Sequence, residues 1–296
     1  MAEACENCGE IVVGAYCHAC GQKRISEKDR RLGHLLGQAF AVVTDLDGRF
    51  LRTLRALVFQ PGRLSRDYID GRRKQWIAPM GLFLLANALF FVLPSGITDF
   101  NLPLRNQLQG QPHSAFTRGW VEARVSARDA LRRERWEKQQ AATRPARPPT
   151  YGVAEFSQTY DARAGDVGKA LIAVHIPFLA LGVWAVYGRR RRYVAEHVVV
   201  ATHLFTFMLL FVQLVLLPGG WLYAALGHAD GGGLPPAVMV MTAIMLGLYT
   251  AVALRRSYDA PWWQALLLPL PLMWLMLMGS LYVYRTLQFL VTFAVT

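Results

Sequence analysis

VAEHVVVATHLFTFMLLFVQLVLLP, residues 194–218, holds a single carboxylate near its start and neither lysine nor arginine. As a helix it is long enough to cross a hydrocarbon layer, which takes about 20 apolar residues. Apolar stretches at 77–97, about 169–188, about 236–254 and 262–296 have the same character. The last is too long for one straight span and contains PLPLM at 269–273, so a bend is expected at its two prolines. These stretches make the chain an all-α polytopic membrane protein of about five transmembrane helices.

Composition agrees. Of 296 residues, 53% are hydrophobic and 18% charged, with a mean hydropathy of +0.24; a soluble domain carries about 25% charged residues. The net charge of +12 is unevenly placed. Arg72, Arg73 and Lys74 precede the first span, RRRR (189–192) separates the second from the third, and Arg255 and Arg256 follow the fourth. The connection 219–235 has no lysine or arginine. By the positive-inside rule the N-terminus is cytoplasmic and the C-terminus outside. The segment 98–168 is arginine-rich, but a loop of that length translocates largely regardless of its charge. No signal peptide is expected, since the first residues are polar and cysteine-rich.

That outer loop carries one helical pattern near 117–141, with Glu134 and Lys138 at i, i+4, and then RPARPP (144–149) as an extended linker. It reads as a solvated helix or as a basic surface for anionic partners; nucleic acid is not expected outside the cytoplasm. Ahead of the first span, residues 25–76 contain two amphipathic stretches. Leu32, Leu35, Leu36, Ala39, Phe40 and Val43 share one helical face, and Phe50, Leu51, Leu54, Leu57 and Val58 form another, ended by Pro61-Gly62. Such basic amphipathic helices either lie in the headgroup layer or pack on the ends of the spans.

The remaining signal is at the front. All four cysteines fall in CENCGEIVVGAYCHACGQ, residues 5–22, which argues for one metal site rather than a disulfide framework. Cys5, Cys8, Cys17 and Cys20 supply a complete tetrahedral set with no open position, the pattern of a structural site. Gly9 and Gly21 follow the two pairs, where a positive φ lets the chain turn back. The module over 1–24 reads as a miniature zinc ribbon, with EIVVGAY as a short hairpin and Gly14 near its turn. Zinc is the expected ion, with iron or a redox dithiol as the other readings; His18 is expected to be exposed. A chain this short needs the metal to fold.

Ionisable groups inside spans are functional candidates. They are His175, Glu196, His197, His203 and Arg285. Glu196 and His203, seven residues apart, share a face, with His197 about a quarter-turn away. They read either as a metal or proton site or as interhelical hydrogen bonds, with Glu196 paired to Arg192 or Arg255. No Ser-His-Asp set, no H-E-x-x-H and no glycine-rich phosphate loop is present; GHADGGG (227–233) reads as connector.

Several stretches together resemble a known family. CHACGQK, RTLRALVFQPGRLSRDYIDGRRKQWIAP (52–79), YVAEHVVVATHLFTF (193–207), LGLYTAVALRRSY (246–258) and YRTLQFLVT (284–292) look like the bacterial membrane proteins grouped as domain of unknown function 3667. The most specific part surrounds Pro61, Gly62, Tyr68, Gly71, Arg72 and Pro79. The resemblance implies a multi-pass protein of the bacterial inner membrane with a cysteine-rich head and no assigned reaction. It also marks Glu196, His197, His203, Arg255, Tyr258 and Arg285 as a candidate polar cluster.

The expected organisation is a mini zinc ribbon (1–24), cytoplasmic amphipathic helices (25–76), the first span (77–97), an outer loop (98–168) and a bundle of four further spans (169–296). With no catalytic constellation and a closed metal site, the leading expectation is a membrane-anchored interaction or regulatory protein. Lipid and a cytoplasmic protein would be its partners. A small transporter or channel using the polar residues of the third span, and an intramembrane metal-dependent enzyme, are the alternatives.

Overall fold

The computed structural model describes residues 3–24, 48–92, 102–139, 150–190, 193–225 and 235–296. It is mostly helical. In chain order the helices begin with α1 (Arg49–Phe59), α2 (Arg63–Ile69) and α3 (Pro79–Val92). Next come α4 (Leu104–Gly110), α5 (Ser114–Gln139) and α6 (Val153–Leu171), then α7 (His175–Tyr187), α8 (Val194–Phe211) and α9 (Leu217–Ala225). The last four are α10 (Pro236–Tyr258), α11 (Trp262–Leu267), α12 (Pro269–Met278) and α13 (Arg285–Val295). The chain divides into two compact units, Met1–Ser95 with His175–Met276, and Gly96–Val174 with Leu277–Thr296.

In the first unit, α8 is the central element, with α3 and α7 packed along it. It continues through a π turn (Val212–Leu216) into α9, and 72% of its apolar window is buried. Ala56 and Leu57 of α1 meet Trp76, Ile77 and Leu82 and the Phe207–Phe211 end of α8. The second amphipathic stretch therefore packs on the spans; within its stripe Leu51 points outward, 70% exposed. The first stretch, Leu32 to Val43, lies outside the described residues, as do the linker 144–149, Arg192 and the connector 227–233.

Among the described residues, four helices are long and apolar enough to cross a membrane: Val153–Tyr187, Val194–Gly220, Pro236–Tyr258 and Trp262–Val295. The surface of α10 shows why lipid is the fitting solvent. Met239, Val240, Met241, Ile244, Met245 and Leu248 are all exposed, an apolar face that a soluble monomer rarely leaves uncovered. The stretch expected as the first span, 77–97, is described as the 14-residue apolar helix α3, and residues beyond 92 lie outside the described ones. Pro79 opens it at the position where a missing N–H removes no helical bond. The last apolar stretch bends where expected, at Leu268 ahead of Pro269, and again widens into a π turn at Gly279–Tyr284.

In the second unit, α4, α5, α6 and α13 close over Leu104, Val121, Phe156, Tyr160, Ala164 and Phe289. The charged helix is where the sequence puts it, but the segment 98–168 carries more order than one helix. The helix expected to start near 169 begins at Val153. The reason is an apolar face, Phe156, Tyr160 and Ala164 at i, i+4, i+8, that burial against α13 makes worthwhile in spite of its polar neighbours. Arg128 and Arg163 donate to the carbonyls of Thr296 and Val295, and Arg132 pairs with Glu155 at 2.5 Å.

Candidate functional site

The cysteine head is built from one motif used twice. Cys5 N–H donates to the Glu10 carbonyl at 2.7 Å and Gly9 N–H to the Cys5 carbonyl at 2.8 Å. Cys17 N–H donates likewise to Gln22 at 2.9 Å and Gly21 N–H to Cys17 at 2.8 Å. Gly9 and Gly21 take φ of 81° and 71°, as the turn demands. Strand β1 (Glu3–Ala4) pairs antiparallel with β2 (Ile11–Val12) around the first turn, and Tyr16 bridges Lys23 around the second. The hairpin expected within EIVVGAY is thereby corrected. Each Cys-x-x-Cys turn folds back on its own flanks, and that stretch joins the two.

The two turns bring the sulfurs together. Cys5 and Cys20 Sγ are 3.7 Å apart, Cys8 and Cys17 3.6 Å, and all four lie within 4.8 Å of one another as free thiols. Four thiolates about 2.3 Å from a central ion stand about 3.8 Å apart in a tetrahedron, so the set fits a metal ion. The backbone N–H of Cys20, with that of Ala19 and against the opposing effect of burial, holds the Cys17 thiol down at about 6. Among the described residues this is the one group of His, Cys, Asp or Glu side chains close enough to share an ion.

The head is fixed to the body by a residue the motif search passed over. Gln22, buried beside the second turn, donates its Nε2 to the Gly71 carbonyl at 2.8 Å and accepts the Arg73 and Lys74 N–H groups at 3.2 Å each. Gly71 has φ of 91°, and a Cβ there would collide with Glu6. The turn it enters is organised by Asp67. Arg72 donates to Asp67 Oδ1 through Nη2 at 2.6 Å and Nε at 3.0 Å, and Trp76 donates to Oδ2 at 3.1 Å. The Asp67 carboxylate raises the Arg72 pKa above its ordinary value, foremost through that hydrogen bond.

The polar candidates go to separate partners. Glu196 caps its own helix, accepting the Tyr193 N–H at 3.3 Å; Arg192, one of the two arginines expected beside it, lies outside the described residues. His197 Nδ1 lies 2.9 Å from the Tyr258 hydroxyl, and Tyr258 in turn stacks on Tyr187 with ring centres 4.6 Å apart. His203 Nδ1 lies 3.0 Å from Ser65 Oγ, linking α8 to α2, while His175 stacks on Phe205. Arg255 lies over the Trp262 ring at 4.2 Å. Arg285 belongs to the second unit and donates to Gln288 at 2.8 Å. Glu196, His197 and His203 thus brace three different neighbours. Ser65, Asp67, Trp76 and Gln22 are the partners that sequence reasoning missed; each is an ordinary polar or aromatic residue whose counterpart is distant or lies in an irregular turn.

A family model described as "Protein of unknown function (DUF3667)" matches residues 47–91. The match spans α1, α2, the Asp67-centred turn and all but the last residue of α3, so it covers the dock for the cysteine head. No curated protein and no solved structure matches the chain.

Proposed function

We propose that the protein is a membrane-anchored interaction or regulatory protein of the bacterial inner membrane. In this reading a zinc-loaded head on the cytoplasmic side presents a docking face to a protein partner, and five spans serve as anchor and scaffold. The observation that carries it is the head's outward face. Ile11, Val13 and Tyr16 are 54%, 89% and 64% exposed on the head. Exposed apolar side chains on so small a module are what a protein partner would cover, and this reading assigns them to that use. Zinc is the assignment because four thiolates in a closed tetrahedron suit it and leave no position for a substrate.

The fifth span of this reading is α3, the shorter apolar helix that follows Arg72, Arg73 and Lys74 and joins the four longer ones. A transporter is the second reading, favoured by the two π turns, which recur at functional sites, and by Gln213, buried in one of them with no partner for Oε1 among the described residues.

The test is a photo-crosslinking amino acid at position 13 in intact cells, beside the same probe at exposed position 52. The expected outcome is a discrete protein adduct from position 13 alone, lost in Cys5→Ser/Cys17→Ser. Adducts to lipid only, or adducts indifferent to the cysteines, would sink the docking reading.

A further inference from the structure

Where α10 ends, three residues, Asp259 to Pro261, turn the chain into α11. Both flanking helices belong to candidate spans, so this turn sits at the level of lipid headgroups whichever side it faces. A groove of about 430 Å³ opens there, lined by Arg66, Val252, Arg255, Arg256, Asp259 and Ala260. Three guanidiniums face one carboxylate in it. Arg66 is held in place by Asp70 at 2.7 Å and Asp259 at 2.6 Å, and donates to the Arg256 carbonyl. Among the described residues the other two have no carboxylate partner. The Arg255 guanidinium is stacked on Trp262, which uses its face and leaves the N–H edge open, and Arg256 is exposed. Helix-end dipole alone accounts for one cation in this position, whereas here three converge on a concave, half-apolar space beside an exposed indole.

We propose that this groove binds a phosphate ester, with Arg255 and Arg256 donating to its oxygens, Arg66 fixing their spacing, and Val252, Ala260 and the neighbouring Trp262 accommodating an attached glycerol or acyl segment. Guanidiniums match phosphate oxygens in planar, two-point fashion, and a stacked guanidinium is already oriented for it. The position at the headgroup level makes a phospholipid the natural source; a soluble phosphate ester has the same chemistry.

The test uses the full-length, metal-loaded protein in detergent at near-physiological salt, with calorimetric titration of dihexanoyl phosphatidate, glycerol 3-phosphate and phosphate-free dihexanoylglycerol. Saturable binding of phosphatidate is expected, weakened about tenfold or more in Arg255→Gln/Arg256→Gln. Arg52→Gln/Arg55→Gln, which removes the same charge from exposed sites on α1, is expected to change it by less than about threefold. Arg255→Lys should fall between, keeping the charge and losing the fork. Both altered arginines of the groove are exposed, and an unchanged thermal unfolding midpoint in detergent confirms the fold. Glycerol 3-phosphate binding as tightly as phosphatidate would identify a soluble ligand; binding that requires the acyl chains would identify lipid. Equal losses in the two double variants, equal binding of dihexanoylglycerol, or no saturable binding of either phosphate overturns the proposal.

Discussion

Gly62 shows how much a single missing side chain decides. It starts α2 with φ of 77°, and a Cβ on it would stand 2.5 Å from the Ala253 carbonyl oxygen of α10. Gly62→Ala therefore incurs both the left-handed backbone penalty and a clash with backbone that cannot rotate away, together about 2–4 kcal/mol. Thermal unfolding in detergent should show a clearly lowered midpoint. Gly48→Ala, where an added Cβ meets open space, should leave it unchanged. Matching midpoints for the two variants would contradict the close approach. Half of this was legible: Pro61-Gly62 reads as a helix end from any sequence. Its second role was hidden because the atom it makes room for lies about 190 residues downstream. Asp67 was hidden for a related reason. Its partners Arg72 and Trp76 are near in sequence, but they meet it through an irregular turn that no periodicity announces.

Among the elements, the cysteine head was the most legible, because thiolate spacing and the following glycines state the chemistry locally. Its attachment was not, since Gln22 recognises main-chain groups and leaves no complementary residue to find. Two variants separate these roles. Cys5→Ser/Cys17→Ser should carry no metal where the wild type carries one ion per chain, measured on the purified protein. Gln22→Ala should keep its metal yet exchange the amide hydrogens of Arg73 and Lys74 faster, since both lose their acceptor. Metal persisting in the double cysteine variant would reveal a second site outside the head. Unchanged exchange in Gln22→Ala would remove the dock as described. The helices themselves followed their apolar runs closely, except α6. Its buried face is a single line of four residues, Phe156, Tyr160, Ala164 and Gly168, and charged neighbours mask it until α13 is in place to cover it.

At the scale of the molecule, span count and sidedness are one question. Four helices meet the length of a membrane crossing, and α3 decides whether the total is odd. With five crossings, a reporter fused at the N-terminus is expected inside and one at the C-terminus outside; alkaline phosphatase and a cytoplasm-only fluorescent fusion distinguish the two. Both ends on one side would remove α3 as a span. Apolar length foretold the four helices long enough to cross. It could not foretell that the helices Val153–Tyr187 and Trp262–Val295, at 35 and 34 residues, would exceed it. At about 1.5 Å per residue each is about 50 Å long against about 30 Å of hydrocarbon, and part of each packs into the core of the second unit. The dock of the head on Gly71 also sets an order of assembly. Gln22 and Gly71 are 49 residues apart, and a ribosome making about 5–20 residues per second takes roughly 2–10 s to cover that distance. The thiolates can thus capture their ion while the chain is still nascent, and the finished head meets its seat just as the first apolar helix leaves the exit tunnel for the translocon.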